Sequence, residues 1–239
     1  MKRIAIFVEG ESEKIFVYNL LLKIIDASKL KIECFKVGVD NNFKPDSYSY
    51  SSPTAEIDIL IFDSGGDNRV VSSIYRSAKN MNELGYETII GLRDLYCQQY
   101  DDLSPSKINP TISNKIMEAA RETLGSLKFG ENVKLFFSVM ELEAWYLGFI
   151  DALDRMGYSL TDINRILGIK LEEIDPEGGF YKPKSAIEKV HTQVKGNAFN
   201  EVKFAHSISQ TLRSNEISAV VNSGKLSHFK DFVECISSF

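Results

Sequence analysis

Five acidic residues stand where apolar runs end. Glu9 follows Ile4-Ala5-Ile6-Phe7-Val8, Asp63 follows Ile59-Leu60-Ile61-Phe62, and Asp94 follows Ile89-Ile90-Gly91-Leu92 and Arg93. Glu141 and Glu143 come just after Phe136-Phe137-Ser138-Val139. Short continuous apolar runs read as strands buried on both faces. If such strands are parallel neighbours, their acids project toward one edge of the sheet, where open α/β sheets gather ligands. Like charges packed together are costly unless a cation neutralises them. Carboxylate oxygens suit Mg²⁺ or Mn²⁺. Gly10, beside Glu9, would let the chain turn tightly there. A phosphate cradle is not what this first loop offers, since neither G-x-G-x-x-G nor G-K-[ST] is present.

Each acid also has a plainer role open to it. Asp63, in Asp63-Ser64-Gly65-Gly66-Asp67, suits a turn or a helix cap at least as well as a metal. Glu13 suits the first turn of a helix, where the dipole favours a negative charge. Asp94 can pair with Arg93. Glu141 and Glu143 cannot share a face if both are helical, because residues two apart point differently. The recurrence of acids at successive strand ends carries the metal reading, not any one residue.

The elements that must position these acids alternate. Glu13–Asp26 reads as a buried helix, Ile32–Val39 as a second strand, and Asp58–Phe62 as a third. Val70–Leu84 places Val70, Ile74, Ala78, Met81 and Leu84 on one helical face. Thr88–Leu92 is a short buried strand. Asn109-Pro110 opens a helix to about Leu124, with Asn as cap and Pro at the first position. Val133–Val139 is another strand, and a helix carrying Trp145, Leu147, Phe149 and Ile150 starts near Glu141. Residues 44–54 are polar and read as a mobile loop. Strands alternating with helices predict an α/β fold, a mostly parallel sheet flanked by helices on both faces.

The alternation stops near residue 155. Ser159 to Asp162 resembles a capping box before Ile163–Leu167, and Pro183–Val194, Glu201–Leu212 and Leu226–Ile236 read as further helices. The expected organisation is an α/β domain over residues 1–155 with a C-terminal helical section, residues 156–239, packed on it.

With 239 residues and a net charge of −5, the chain is not a general DNA-coating protein, whose surface should be basic. A nuclease remains compatible, with acid at its metal site and a few cations beside it. Lys182, Lys184, Lys189 and Lys195 form the densest basic stretch and read as a solvated helix face. Cys34, Cys97 and Cys235 lack metal spacing and fit reduced thiols in the cytoplasm. No apolar stretch nears the ~18 residues of a membrane helix, and the first residues run into a strand rather than a signal peptide. His191, His206 and His228 lie at no metal spacing. G-x-S-x-G is absent. Trp145, in an apolar helix, reads as a core anchor rather than a base-stacking platform.

Val8-Glu9-Gly10-Glu11-Ser12-Glu13, a strand–Glu-Gly-x-Ser/Thr-Glu–helix opening, resembles the Toprim domain of topoisomerases, primases and overcoming-lysogenization-defect (OLD) nucleases. Gly65-Gly66 ahead of a helix and Ile89 through Leu95 resemble later Toprim strands. Glu141-Leu142-Glu143-Ala144-Trp145-Tyr146-Leu147 resembles a group of small stand-alone bacterial Toprim-like proteins with relatives in anti-phage systems. The resemblance covers roughly residues 1–150. It implies that Glu9 binds metal or acts as general acid or base, that Asp94 is the first acid of the Asp-x-Asp pair, and that Glu143, or else Glu141, closes the site. The second acid of that pair is replaced by Tyr96, a role that Asp101, Asp102 or Asp63 would have to fill. The implied function is a Mg²⁺-dependent (or Mn²⁺-dependent) phosphodiesterase acting on nucleic acid, with Glu9, Asp94 and Glu143 catalytic. A partner defence protein and self-association belong to the same expectation. The alternative is a degenerate Toprim-like binding or regulatory module. A topoisomerase is set aside because nothing resembles the domain that carries its tyrosine, and a nicotinamide-binding protein because the glycine fingerprint is missing.

Overall fold

The computed structural model describes residues 1–38, 42–66, 69–127 and 130–239. Its strands are β1 (Lys2–Val8), β2 (Leu30–Val37), β3 (Phe43–Ser51), β4 (Ile57–Asp63), β5 (Thr88–Asp94) and β6 (Val133–Ser138). They form one sheet in the order β3-β2-β4-β1-β5-β6. Every pairing is parallel except β2 with β3. Val39, expected in the second strand, and Asp67 lie outside the described residues.

The strand runs are continuous because both sheet faces are covered. Ile4, Ile6 and Val8 of β1 enter one core while Ala5 and Phe7 enter the other. β4 divides in the same way, with Ile57, Ile59 and Ile61 on one side and Phe62 on the other. This is period-two alternation hidden inside an all-apolar segment. Gly91 of β5 fits a crowded place: a Cβ there would stand 2.6 Å from Leu135 Cδ1 and 2.8 Å from Ile74 Cδ1.

Helices α1 (Glu11–Ile24), α2 (Arg69–Glu83), α3 (Gln98–Leu103) and α4 (Pro110–Gly125) accompany the sheet. α1 covers one face; α2 and α4 cover the other. Asn109 caps α4, its side chain accepting from the N–H groups of Thr111 and Ile112. The remainder is helical: α5 (Glu143–Gly148), α6 (Ile150–Arg155), α7 (Leu160–Leu167), α8 (Pro176–Gly179), α9 (Pro183–Lys195), α10 (Glu201–Thr211), α11 (Ser214–Val221) and α12 (Ser227–Ser237). Ser159 caps α7 by accepting the Asp162 N–H. These helices pack on the α1 side and share one core with it, in which α10 lies against α1. Trp145 is fully buried, and its indole N–H donates to Glu177 at 2.8 Å. Glu177 also accepts the N–H groups of His228 and Phe229, so one buried carboxylate joins α5 to the start of α12. No helix among the described residues is long and apolar enough to cross a membrane.

The polar stretch 44–54 is not a loop. Most of it is β3, the antiparallel edge strand, paired with β2 across a register shift between Glu33 and Phe35. Tyr48 and Tyr50 alternate with serines and pack on the core, Tyr48 edge-on to Tyr18 at 5.5 Å. The alternation is large against small rather than apolar against charged, and Pro45 is tolerated because the strand is an edge.

β3 is also tied to α1 by charge. Lys14, with a side chain only 1% exposed, pairs with Asp46. Asp46→Ala should therefore destabilise the fold by about 3–5 kcal/mol, since it leaves a buried ammonium without its partner. Lys14→Met combined with Asp46→Ala should recover most of that loss, as read from urea denaturation midpoints.

Candidate active site

β1 is the point from which the chain builds the sheet in both directions, with β4 on one side and β5 on the other. Such switch points leave a crevice at the carboxyl ends of the strands. Glu9 stands there, directly after β1. Its carbonyl accepts the Gly66 N–H at 2.8 Å, which binds the β4–α2 turn to it. Gly10 does not supply the tight turn expected of it: its φ of −151° is extended and open to any residue. What its missing side chain provides is room, since a Cβ would lie 3.2 Å from Glu13 Oε2. Glu13 is in the first turn of α1, as the dipole reading expects, but it is buried.

Asp94 ends β5 opposite Ser138, the last residue of β6, and the Ser138 hydroxyl donates to its carboxylate. Beyond the strands the pairing continues. Leu95 N–H donates to Ser138 O at 3.0 Å and Tyr96 N–H to Met140 O at 2.7 Å, which delivers Tyr96 to the same cleft. Met140 adopts a left-handed φ of 65° and is fully buried, a conformation uncommon outside glycine. After this bend α5 begins only at Glu143, so Glu141 lies outside the helix. The same-face conflict between Glu141 and Glu143 is thereby removed, and both line the cleft.

The helical section closes the site. Lys184, in the first turn of α9, donates its backbone N–H to Glu141 Oε2 at 2.9 Å, and its ammonium pairs with Glu201 at the start of α10. Ser12 Oγ donates to Glu201 Oε1 at 2.7 Å. Lys184 is thus not part of a purely solvated face, and Glu201 is a site residue that no local pattern marked. Arg93 lies 3.9 Å from Glu9 and donates to the Asp94 carbonyl at 3.3 Å.

Asp63 is elsewhere. Its carboxylate accepts the Gly65 N–H at 2.8 Å, shaping the turn into α2, and it does not line the cleft. Gly65, with φ +78°, takes a conformation suited to glycine in that turn. Asp101 accepts from the Tyr181 hydroxyl, and Asp102 from the Gln98 amide. Neither lines the acid cleft.

Among the described residues, the cleft of about 370 Å³ is lined by Glu9, Glu11, Glu13, Asp94, Glu141, Glu143 and Glu201, with Lys184 as its cationic side chain. Burial, then the charges of Glu201, Glu13 and Glu141, pushes Glu143 up to about 8. Burial and the charges of Glu201 and Asp63 raise Glu13 to about 7. Asp94 lines the cleft and is half-buried. Burial and the charges of Glu9, Glu13 and Glu143 raise it well above the usual range, against the pull of the Ser138 hydrogen bond. Burial also raises Glu141, though the Lys184 N–H opposes it. The Tyr146 hydroxyl is buried near these carboxylates and has no hydrogen-bond partner among the described residues; burial and their charge hold its proton tightly.

No family model, curated protein or solved structure matches this chain.

The donor set is all oxygen and strongly anionic, which fits a hard divalent cation. Raised carboxylate pKa values are what burial and the mutual repulsion of like charges produce. Among the described residues, as their side chains stand, no three His, Cys, Asp or Glu groups are close enough to share one ion.

These shifts have a consequence for stability. Glu143 goes from an ordinary 4.5 to about 8 on folding, and Glu13 from 4.5 to about 7. Between those values the folded chain holds protons that the unfolded chain releases, so stability falls as pH rises through this window. Melting in EDTA should occur at a lower temperature near pH 8.5 than near pH 5.5. Glu143→Gln should flatten that slope. Mn²⁺ should restore stability mainly at the alkaline end, and a slope of opposite sign would refute the carboxylate cluster.

Proposed function

We propose that this chain is a Mg²⁺- or Mn²⁺-dependent phosphodiesterase acting on nucleic acid. The observation that carries the reading is the convergence of carboxylates from β1, β5, the segment after β6 and α10 at the carboxyl edge of parallel strands. Glu9, Asp94 and Glu143 would hold the cation, with Glu141 available beside them. A divalent cation at this place supplies charge neutralisation for a phosphate and lowers the pKa of water.

The chain's own groups divide the remaining work. Ser138 orients the Asp94 carboxylate through its hydroxyl. Arg93, beside Glu9, restrains that acid. Glu13, which burial and the charges of Glu201 and Asp63 raise to about 7, is suited to take up or deliver a proton at its carboxylate oxygens. Lys184 carries positive charge at the wall of the cleft, where a phosphate oxygen can exchange for Glu201. The resemblance to Toprim nucleases extends the reading to a cytoplasmic role in anti-phage defence alongside a partner protein.

A second reading, a binding or regulatory module without catalysis, is favoured by Tyr96 at the position where the Toprim pattern has a second acid.

Plasmid DNA, single-stranded DNA, total RNA and tRNA incubated with Mg²⁺ or Mn²⁺ decide between the two. Cleavage by the wild type should fall by roughly 10²-fold or more in Glu9→Ala. Calorimetric Mn²⁺ binding should vanish in Asp94→Asn and weaken about 10- to 100-fold in Ser138→Ala, where the orienting hydroxyl is lost. Undiminished cleavage by pure, folded Glu9→Ala would overturn the enzyme reading. Folded wild type that binds Mn²⁺ but cleaves nothing would favour the binding module.

A further inference from the structure

Beside the acid cleft stands a second group of side chains that metal chemistry leaves unused. Tyr96 follows Asp94 by two residues and lines the cleft wall. Tyr181, from the segment before α9, meets it edge to face, with ring centroids 5.9 Å apart and planes at 87°. The exposed Lys182 holds its ammonium 5.3 Å from the Tyr96 ring and 5.7 Å from the Tyr181 ring. Both rings therefore present faces that a solvated cation reaches, and both are only half-buried.

The pair is held rigidly. The Tyr181 hydroxyl donates to Asp101 at 2.7 Å, and Asp101 lies 3.9 Å from Lys182. Behind Tyr181 is Tyr100, with centroids 6.4 Å apart. Tyr100 is fully buried, and its hydroxyl is fixed by the Asn109 N–H at 2.8 Å and by Ser113 at 3.0 Å. The Tyr96 backbone is held through Met140 O. Lys182 is kept beside both rings by a hydrogen bond to the Tyr96 side chain and by the charge of Asp101. Aromatic rings with a cation beside them are ingredients of single-strand binding: the rings stack a base and the cation follows the backbone.

We propose that Tyr96, Tyr181 and Lys182 form a stacking platform for one unpaired nucleobase next to the reacting phosphate, making single-stranded nucleic acid the substrate class. The inference rests on the phosphodiesterase reading above. A base inside a duplex has both faces covered by its neighbours and cannot lie on these rings, whereas an unpaired base can. Lys182 would leave the ring faces for the phosphate of the stacked nucleotide. Tyr96 is on this account the residue that reads the strand, where the Toprim pattern has an acid.

The test is fluorescence anisotropy with labelled oligo-dT, oligo-rU and a DNA duplex of equal length, with Ca²⁺ in place of Mg²⁺. Wild type should bind single strands more tightly than duplex. Tyr181→Leu and Tyr96→Leu should each weaken single-strand binding by about 5- to 150-fold, the range for one lost stacking contact, and leave duplex binding unchanged. Tyr181→Phe keeps the ring and should retain the preference, which separates stacking from the hydroxyl's bond to Asp101. Melting temperatures of all variants establish that they fold. The dT and rU arms show which of the two strands is preferred. Equal affinity for strand and duplex, unaltered single-strand affinity in a folded Tyr181→Leu, or no binding of either would overturn the platform. Mn²⁺ calorimetry on the same samples keeps the two ideas apart. Mn²⁺ bound without strand preference removes the platform alone, and no Mn²⁺ bound by wild type removes the phosphodiesterase reading beneath it.

Discussion

Carboxylates of like charge are forced together at one edge of this sheet, and much of the molecule can be understood as living with that constraint. The parallel register leaves no choice about direction. Val8 pairs with Asp63, and Asp94 with Ser138, so the segments leaving β1, β5 and β6 must emerge on the same side. Once Glu9, Glu13, Asp94 and Glu143 are gathered and largely removed from water, their repulsion has to be met by protons, by hydrogen-bond donors or by cations. Each is used. Glu13 and Glu143 hold protons near neutrality, Ser138 and the Lys184 N–H donate to Asp94 and Glu141, and the Lys184 ammonium meets Glu201.

The helical section is consequently more than a cover. It brings the cationic side chain that lines the acid cleft and one further carboxylate, and its attachment is itself built on a buried acid. Glu177, at α8, satisfies the Trp145 indole and the first amides of α12, replacing the side-chain cap that α12 lacks. Trp145 lies two residues after Glu143 on α5, so the packing of the helical layer and the placement of a site acid are mechanically linked.

The scaffold was far more legible in the sequence than the site. Apolar runs at β1, β4, β5 and β6 announce strands because burial on both faces demands continuous hydrophobicity. Asn109 and Ser159 announce helices because few side chains satisfy free amides so well. β3 escaped because tyrosines alternating with serines look polar when counted by composition. The edge acids Glu9, Asp94, Glu141 and Glu143 were visible from their places after the strands, but their mutual arrangement depends on Met140, whose left-handed backbone is not signalled by Gly or Asn. Lys184, read as part of a solvated face, and Glu201, not singled out at all, were missed for a simpler reason. A charged residue in the first turn of an exposed helix has the same local sequence whether it faces water or another element.

The hydroxyl of Ser12 reaches a carboxylate 189 residues further along the chain. Synthesis from the N-terminus makes that contact a late one. The strands and their edge acids leave the ribosome first, and the sheet's own pairings lie entirely within the first 138 residues. Lys184 and Glu201 arrive much later. Contacts of such separation form slowly because the loop must close before they give any return. Through this interval the young chain presents an anionic edge without Lys184, and the finished cleft exists only once α9 and α10 have docked.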